Sequence, residues 1–317
     1  MKRILVTGAS GQIGSELIPA LREKYGGENV IAARHRKPLT KEVEDGGPSI
    51  TLDVTSQADV EKAVKTHKPG HIYHLSSILS ASAEKNRQAA YEVNFNGLFY
   101  ILEAAVANKV SRVVVPSSIA AFGPETPRNA PNDTLQKPTG LYGISKVFGE
   151  LMGNYYYRAA KLDVRGVRLP GIISWKVEPT AGTTDYAVAI FYGAILEGRY
   201  TCYLKPDTAL PMMYMPDAID SLIGVAEADL GGSAHRADYN VNAVSFTPAQ
   251  LAKAIVKRMP AFKMDYEIDP LRQAIADSWP DALDDSLARK DWGWRHRFGI
   301  ETMVDDMFAN LTKKLKG

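Results

Sequence analysis

The stretch YGISK sets Tyr142 and Lys146 at positions i and i+4, so on a helix both side chains leave the same face. An ammonium beside a phenol favours the phenolate and brings its pKa down from about 10 toward the working range. Such a tyrosine takes the proton of an alcohol while hydride leaves the carbon. Tyrosine and lysine at this spacing also occur on ordinary surface helices, so the pair needs a third group. VVVPSSIAAFG supplies one, a β-branched run that delivers Ser117 and Ser118 to the carboxyl end of a strand. A serine hydroxyl there can hold the reacting oxygen while Tyr142 takes its proton.

A hydride needs an acceptor, and the start of the chain offers a place for one. TGASGQIG places Gly8, Gly11 and Gly14 after a short apolar run and before a helical pattern. The first glycine allows a tight turn, the second lets backbone amides approach a pyrophosphate, and the third lets helix and strand pack closely. Gln12 and Ile13 then present the first N–H groups of the helix. A purely structural turn has a similar look, but the strand before and helix after favour a dinucleotide.

The residues beyond that turn raise a question of cofactor. In NAD sites an acid about 20 residues further on accepts the ribose hydroxyls, whereas an arginine accommodates a 2′-phosphate. Here Ala33 is followed by Arg34, His35, Arg36 and Lys37. Either these bases form a solvated strand end, or the guanidinium of Arg34 leaves room for NADP. Asp53 in TLDV ends the next strand, where it can meet an adenine amino group with Val54 lining the ring, or else cap a helix. Leu75, in LSS, borders the same cleft by its place in the sheet. Lys146 is also within reach of a nicotinamide ribose.

These groups must be positioned by strands and helices in alternation. RILVTG, NVIAA, SITLDV, HIYHLSS, RVVVPSS and VRGVRLP read as strands, separated by helices over 12–24, 57–67, 85–108 and 142–160. That alternation predicts an α/β fold with right-handed crossovers and a doubly wound parallel sheet of the Rossmann kind. From Gly171 the pattern loosens, before a helix over 185–198. The expected dinucleotide-binding domain covers residues 1–170, with the strand and helix of 211–228 returning to it. Residues 171–210 and 229–317 form a small, discontinuous substrate-binding domain and tail.

Composition narrows the partners. The chain has 317 residues, ample for a large core, and a net charge of +2 from interspersed acids and bases. No polybasic stripe suggests nucleic acid. Cys202 is the single cysteine, which excludes an internal disulfide framework and fits the reducing cytoplasm. No compact histidine and carboxylate cluster suggests zinc, and no apolar run is long enough to read as a membrane span. His74 reads as a hydrogen-bonded core residue, and Arg168 as either a carboxylate partner or a structural ion pair.

TGASGQIG, LDV, YHLSS, SSIAAFG, YGISK and RLPGI, in that order over the first 170 or so residues, resemble the extended short-chain dehydrogenase/reductase superfamily. Its catalytic serine or threonine lies five residues before the glycine of SSIAAFG, which selects Ser118 over Ser117. The longer stretches GTTDYAVAIFYGAILEGRYTCYLKPDTALPMMYMPDAIDSLI and SWPDALDDSLARKDWGW are similar to the short-chain L-threonine 3-dehydrogenases. The resemblance implies oxidation of the L-threonine 3-hydroxyl to 2-amino-3-ketobutyrate, with NAD as hydride acceptor and Ser118, Tyr142 and Lys146 as the catalytic set. It also implies a homodimer through a four-helix seam of 85–108 and 142–160. Members of the family usually carry an acid where Arg34 stands, and a glycine-rich loop where this chain has PTAG at 179–182, which implies a stiffer loop here.

A small zwitterionic substrate needs hydrogen-bond donors, acceptors and a wall against water. Thr183, Thr184 and Asp185 suit the polar tasks, although Asp185 can equally cap the following helix. Ser80 lies just past a strand of the sheet. Trp279, next to Pro280, can close over the pocket or belong to the core. The nearest rival function is a nucleotide-sugar epimerase or dehydratase, which shares the cleft and the catalytic set but needs basic and aromatic groups for a nucleoside diphosphate. A nonenzymatic NADP-binding redox sensor is the other rival, and has no use for an aligned serine, tyrosine and lysine.

Overall fold

The computed structural model describes residues 3–179 and 182–316. Its contacts gather into two units. The first comprises Met1–Ala121, Thr139–Arg168 and Ile219–Tyr239, and the second Phe122–Pro138, Leu169–Ala218 and Asn240–Gly317.

Six short strands build the first unit: β1 (Ile4–Thr7), β2 (Val30–Arg34), β3 (Ser49–Thr51), β4 (His71–His74), β5 (Arg112–Val114) and β6 (Asp163–Arg165). They lie in the order β3-β2-β1-β4-β5-β6 and every neighbouring pair is parallel. Parallel neighbours require crossovers, which run through helices α1 (Gly14–Tyr25), α2 (Gln57–His67), α3 (Gly97–Ala107) and α4 (Leu141–Ala160). Helices on both faces bury the sheet, and all of β1 is inaccessible to solvent. Leu5, Ile31, Ile72, Val113 and Val164 meet Val60, Leu98, Ile101 and Leu102 in one core. The strand order reverses at β1, and such reversals open a crevice at the carboxyl ends of the strands. The doubly wound α/β expectation is met.

One expected helix is interrupted. Residues 85–108 form a short helix Arg87–Tyr91, a π-helical turn Glu92–Asn96 and then α3. A π turn inserts an extra residue into the helical ladder and re-aims the side chains within it. Here it turns Asn94 inward, and the amide is buried. Helical periodicity alone does not reveal such an insertion.

The second unit carries β7 (Gly171–Ile173), β8 (Leu210–Tyr214) and β9 (Val244–Phe246), with β8 parallel to β7 and antiparallel to β9. Helices α5 (Tyr186–Glu197), α6 (Pro248–Arg258) and α7 (Ile300–Lys316) accompany this sheet. Thr247 and Gln250 close a reciprocal cap on the start of α6. Tyr186, Phe191, Met212, Tyr214, Leu251 and Met307 form its core. The strand expected to return to the large sheet is β8, and it pairs here instead. All five of its residues are buried, so its apolar run fits a centre strand of either sheet, and only its long-range partners decide. Among the described residues no helix is long and apolar enough to cross a membrane.

Candidate active site

The glycine turn is built as a cradle that a side chain would fill. Gly8 has φ of 69°, and a Cβ there would stand 2.8 Å from the Leu75 carbonyl carbon and the Ser76 amide nitrogen. A Cβ on Gly14 would collide with the Gly8 carbonyl and crowd the Ala9 backbone. Only hydrogen fits at either place, so the turn lies flush against the end of β4 and α1 starts close behind it. Ser15 N donates to Gly11 O at 3.0 Å and Leu17 N to Ile13 O at 2.8 Å, with Ile13 at the helix entrance and Gln12 before it. This narrow, side-chain-free turn at a helix N-terminus fits a pyrophosphate, and a nicotinamide dinucleotide is a group these residues can hold.

Around the cradle, Asp53 ends the strand region after β3. Its Oδ1 accepts from Thr55 N at 3.0 Å and Thr55 Oγ1 at 2.7 Å, and Oδ2 stands 3.5 Å from His35 Nε2. Burial pushes the Asp53 carboxyl up, but the Thr55 hydrogen bonds and the His35 and Arg36 charges outweigh it and hold the group below its ordinary range. The cap of α2 is Ser56, which accepts from Asp59 N. Val54 is buried in the core with Gly97 against it. Leu75 lies at the mouth of the turn, half-buried.

Ser118 lies near enough to Tyr142 to favour its phenolate, and Ser118 Oγ accepts from Ala120 N at 3.2 Å. Lys146 Nζ lies 5.2 Å from the centre of the Tyr142 ring and donates to the Pro116 carbonyl at 2.9 Å. Thus the first two turns of α4 grip the segment that follows β5, with the Ser118 hydroxyl near its end. The electrostatics differ from the expected acidified phenol. Burial pushes the Tyr142 phenol up to about 12, with the neighbouring Ser118 pulling the other way. Burial likewise brings Lys146 down to about 8, against the raising influence of Glu150. Desolvation disfavours both charged forms and is the largest influence on each.

Several supporting residues carry no motif. Glu150, two turns beyond Tyr142, is buried and forks onto Arg168, whose Nε and Nη2 donate at 2.9 and 2.8 Å. Ser117 also donates to Glu150 Oε1. Arg168 is therefore a structural ion pair, and its partner was legible as the next residue on the YGISK face. Asn94 Oδ1 accepts from Ile78 N at 2.8 Å and Nδ2 donates to Ile78 O at 2.9 Å. This clamp fixes the loop leading to Ser80, which opens the short helix Ser80–Lys85. Glu84 of that helix accepts from Leu141 N at 2.8 Å, capping α4 from outside. His74 is buried, bonded to Thr7 Oγ1 at 2.9 Å, and pushed down to about 3 by burial and then by Lys146. It stays neutral.

The remaining candidates belong to the second unit. Thr183, Thr184 and Asp185 form one 3₁₀ turn. Tyr203 Oη donates to the carbonyls of Gly182 and Thr183 at 2.9 and 3.2 Å, which pins the turn. Thr183 is buried, and Asp185 sits at the N-cap of α5 without accepting from its first amides. Trp279 packs half-buried against the core of that unit, and Arg128 Nη1 donates to its carbonyl at 3.0 Å. In PTAG, Thr180 and Ala181 lie outside the described residues. Among the described residues no group of three or more histidine, cysteine or acidic side chains could hold a metal ion.

Residues 4–242 match the NAD dependent epimerase/dehydratase family. The chain belongs to this family. Its members bring the extended short-chain dehydrogenase/reductase reading of the motifs with them. The chain is 44% identical to an L-threonine dehydrogenase from Clostridium difficile, covering 100% of this chain and 99% of that one with a TM-score of 0.97. A GalE-like L-threonine dehydrogenase from Cupriavidus necator, in its holo form, is 47% identical over 98% of this chain and 99% of its own, with a TM-score of 0.93. The mitochondrial L-threonine 3-dehydrogenase of Bos taurus is 45% identical over 307 residues, 96% of this chain and 82% of the bovine protein.

Proposed function

We propose that the chain oxidises the 3-hydroxyl of L-threonine to 2-amino-3-ketobutyrate, with NAD as the hydride acceptor. The observation that carries the dehydrogenase reading is Lys146, 5.2 Å from the centre of the Tyr142 ring and bonded to the Pro116 carbonyl of the segment that carries Ser118. Threonine as substrate rests on the similarity to L-threonine dehydrogenases along nearly the whole chain.

Gly8, Gly11, Gln12, Ile13 and Gly14 hold the dinucleotide pyrophosphate in this reading, with Arg34, Asp53, Val54 and Leu75 around the adenosine half. When bound, the nicotinamide supplies a two-electron hydride acceptor. Ser118 holds the substrate oxygen through its hydroxyl, and Tyr142 takes the hydroxyl proton as the carbon is oxidised. Lys146 stabilises the phenolate electrostatically and reaches for the nicotinamide ribose. Ser80, Thr183, Thr184 and Asp185 recognise the ammonium and carboxylate, and Trp279 excludes water.

The oligomer proposed is a homodimer. Tyr91 and Phe99 on one arm, and Ile144, Leu151 and Tyr155 on α4, are apolar side chains left exposed on adjacent helices of one unit. A dimer seam along these helices would cover them.

The test is to supply NAD with L-threonine, and separately with UDP-sugars, following reduced nicotinamide by absorbance and products by mass spectrometry. Reduction with threonine alone supports the proposal. Sugar interconversion without net reduction, and silence with threonine, would replace it with an epimerase, which the family description also accommodates.

A further inference from the structure

The carboxyl end of β2 has the chemistry of a phosphate site. The register pairs Thr7 with Ala33, so Arg34 is the first residue past the end of β1, level with the glycine turn. Ala9 N donates to Ala33 O at 3.1 Å, which ties the turn to this strand end. Arg34 is half-buried, and among the described residues its guanidinium makes one hydrogen bond, a 3.3 Å contact to the neighbouring His35 carbonyl. A guanidinium carries five N–H donors, so most of its donor capacity faces outward.

His35, Arg36 and Lys37 follow it, all exposed, and no acid stands among residues 33–37. The carboxylate close by is Asp53, and its oxygens are engaged by Thr55 and His35. The acceptor that would hold a ribose 2′-hydroxyl is thus replaced by a fork of donors. A guanidinium meets a phosphate through two parallel charge-assisted hydrogen bonds, a match that a hydroxyl does not offer.

We infer that Arg34, seconded by Arg36 and Lys37, forms a 2′-phosphate subsite, so that the chain takes NADP as well as NAD. This rests on the glycine turn being a dinucleotide cradle. It changes the cofactor range of the site and leaves the reaction as proposed.

The experiment is calorimetric titration of the full chain with ADP-ribose and with 2′-phospho-ADP-ribose, in wild type and Arg34→Asp, with folding checked by circular dichroism. Wild type is expected to bind the phosphorylated compound as tightly as the plain one or tighter. Arg34→Asp is expected to weaken the phosphorylated compound by about ten- to a hundredfold relative to plain ADP-ribose. A wild-type preference for ADP-ribose above about a hundredfold, or an unchanged ratio in Arg34→Asp, would overturn the subsite while leaving the cradle intact. Failure of both compounds to bind would overturn the cradle and this subsite together.

Discussion

Lys146 Nζ and the Pro116 carbonyl oxygen lie 2.9 Å apart, so the ammonium nearest the Tyr142 phenol is already engaged by the strand extension that carries Ser118. The phenol is pushed up to about 12 by burial and the ammonium down to about 8 by the same cause. Alcohol oxidation needs the phenolate, and the phenolate is favoured by the charged lysine. Below pH 8 the lysine is charged while the phenolate fraction rises about tenfold per pH unit. Above pH 8 loss of the ammonium offsets that rise. The kcat for oxidation should therefore climb steeply up to about pH 8 and then level off. In Lys146→Met the break should disappear and kcat should fall by about a hundredfold or more at neutral pH. A flat wild-type profile across neutrality would contradict the assignment.

Gly14→Ala places a methyl against the Gly8 carbonyl and the Ala9 backbone. Backbone cannot step aside as a side chain can, so stability should fall by about 1–3 kcal/mol. The shifted turn should also weaken dinucleotide binding. Denaturant melts and calorimetry with ADP-ribose check the two effects separately.

Glu150 and Arg168 are both nearly inaccessible and doubly bonded to each other. Glu150→Ala removes the bidentate partner of a buried guanidinium and should cost about 3–5 kcal/mol in chemical denaturation. Replacing both residues by methionine should recover much of that loss, because no charge is then stranded. A double variant as unstable as the single one would show that the pair acts through packing.

Leu151 is 62% exposed and Tyr155 57% exposed on α4, where the proposed dimer seam would cover them. Leu151→Asp should convert a dimer to a monomer in sedimentation velocity. Wild type sedimenting as a monomer would remove the basis for the seam.

Much of the first unit was legible because parallel strands are short β-branched runs between helices, a pattern that periodicity exposes directly. Ser118, Tyr142 and Lys146 were legible together because one strand end and one helix face carry them. Other parts were hidden for physical reasons. The inward turn of Asn94 depends on a π insertion, and β8 has an apolar run that fits either sheet. The expected lowering of the Tyr142 phenol is not met because spacing reports proximity and not desolvation, and burial pushes the phenol up.

The most direct test compares turnover and cofactor binding in Tyr142→Phe and Ser118→Ala. Tyr142→Phe removes the proton acceptor and should lower kcat by about a thousandfold while ADP-ribose binds as before. Ser118→Ala removes only a positioning hydroxyl, and should lose about ten- to a hundredfold. Tyr142→Phe turning over threonine within about tenfold of wild type would contradict a phenol at the centre of the chemistry.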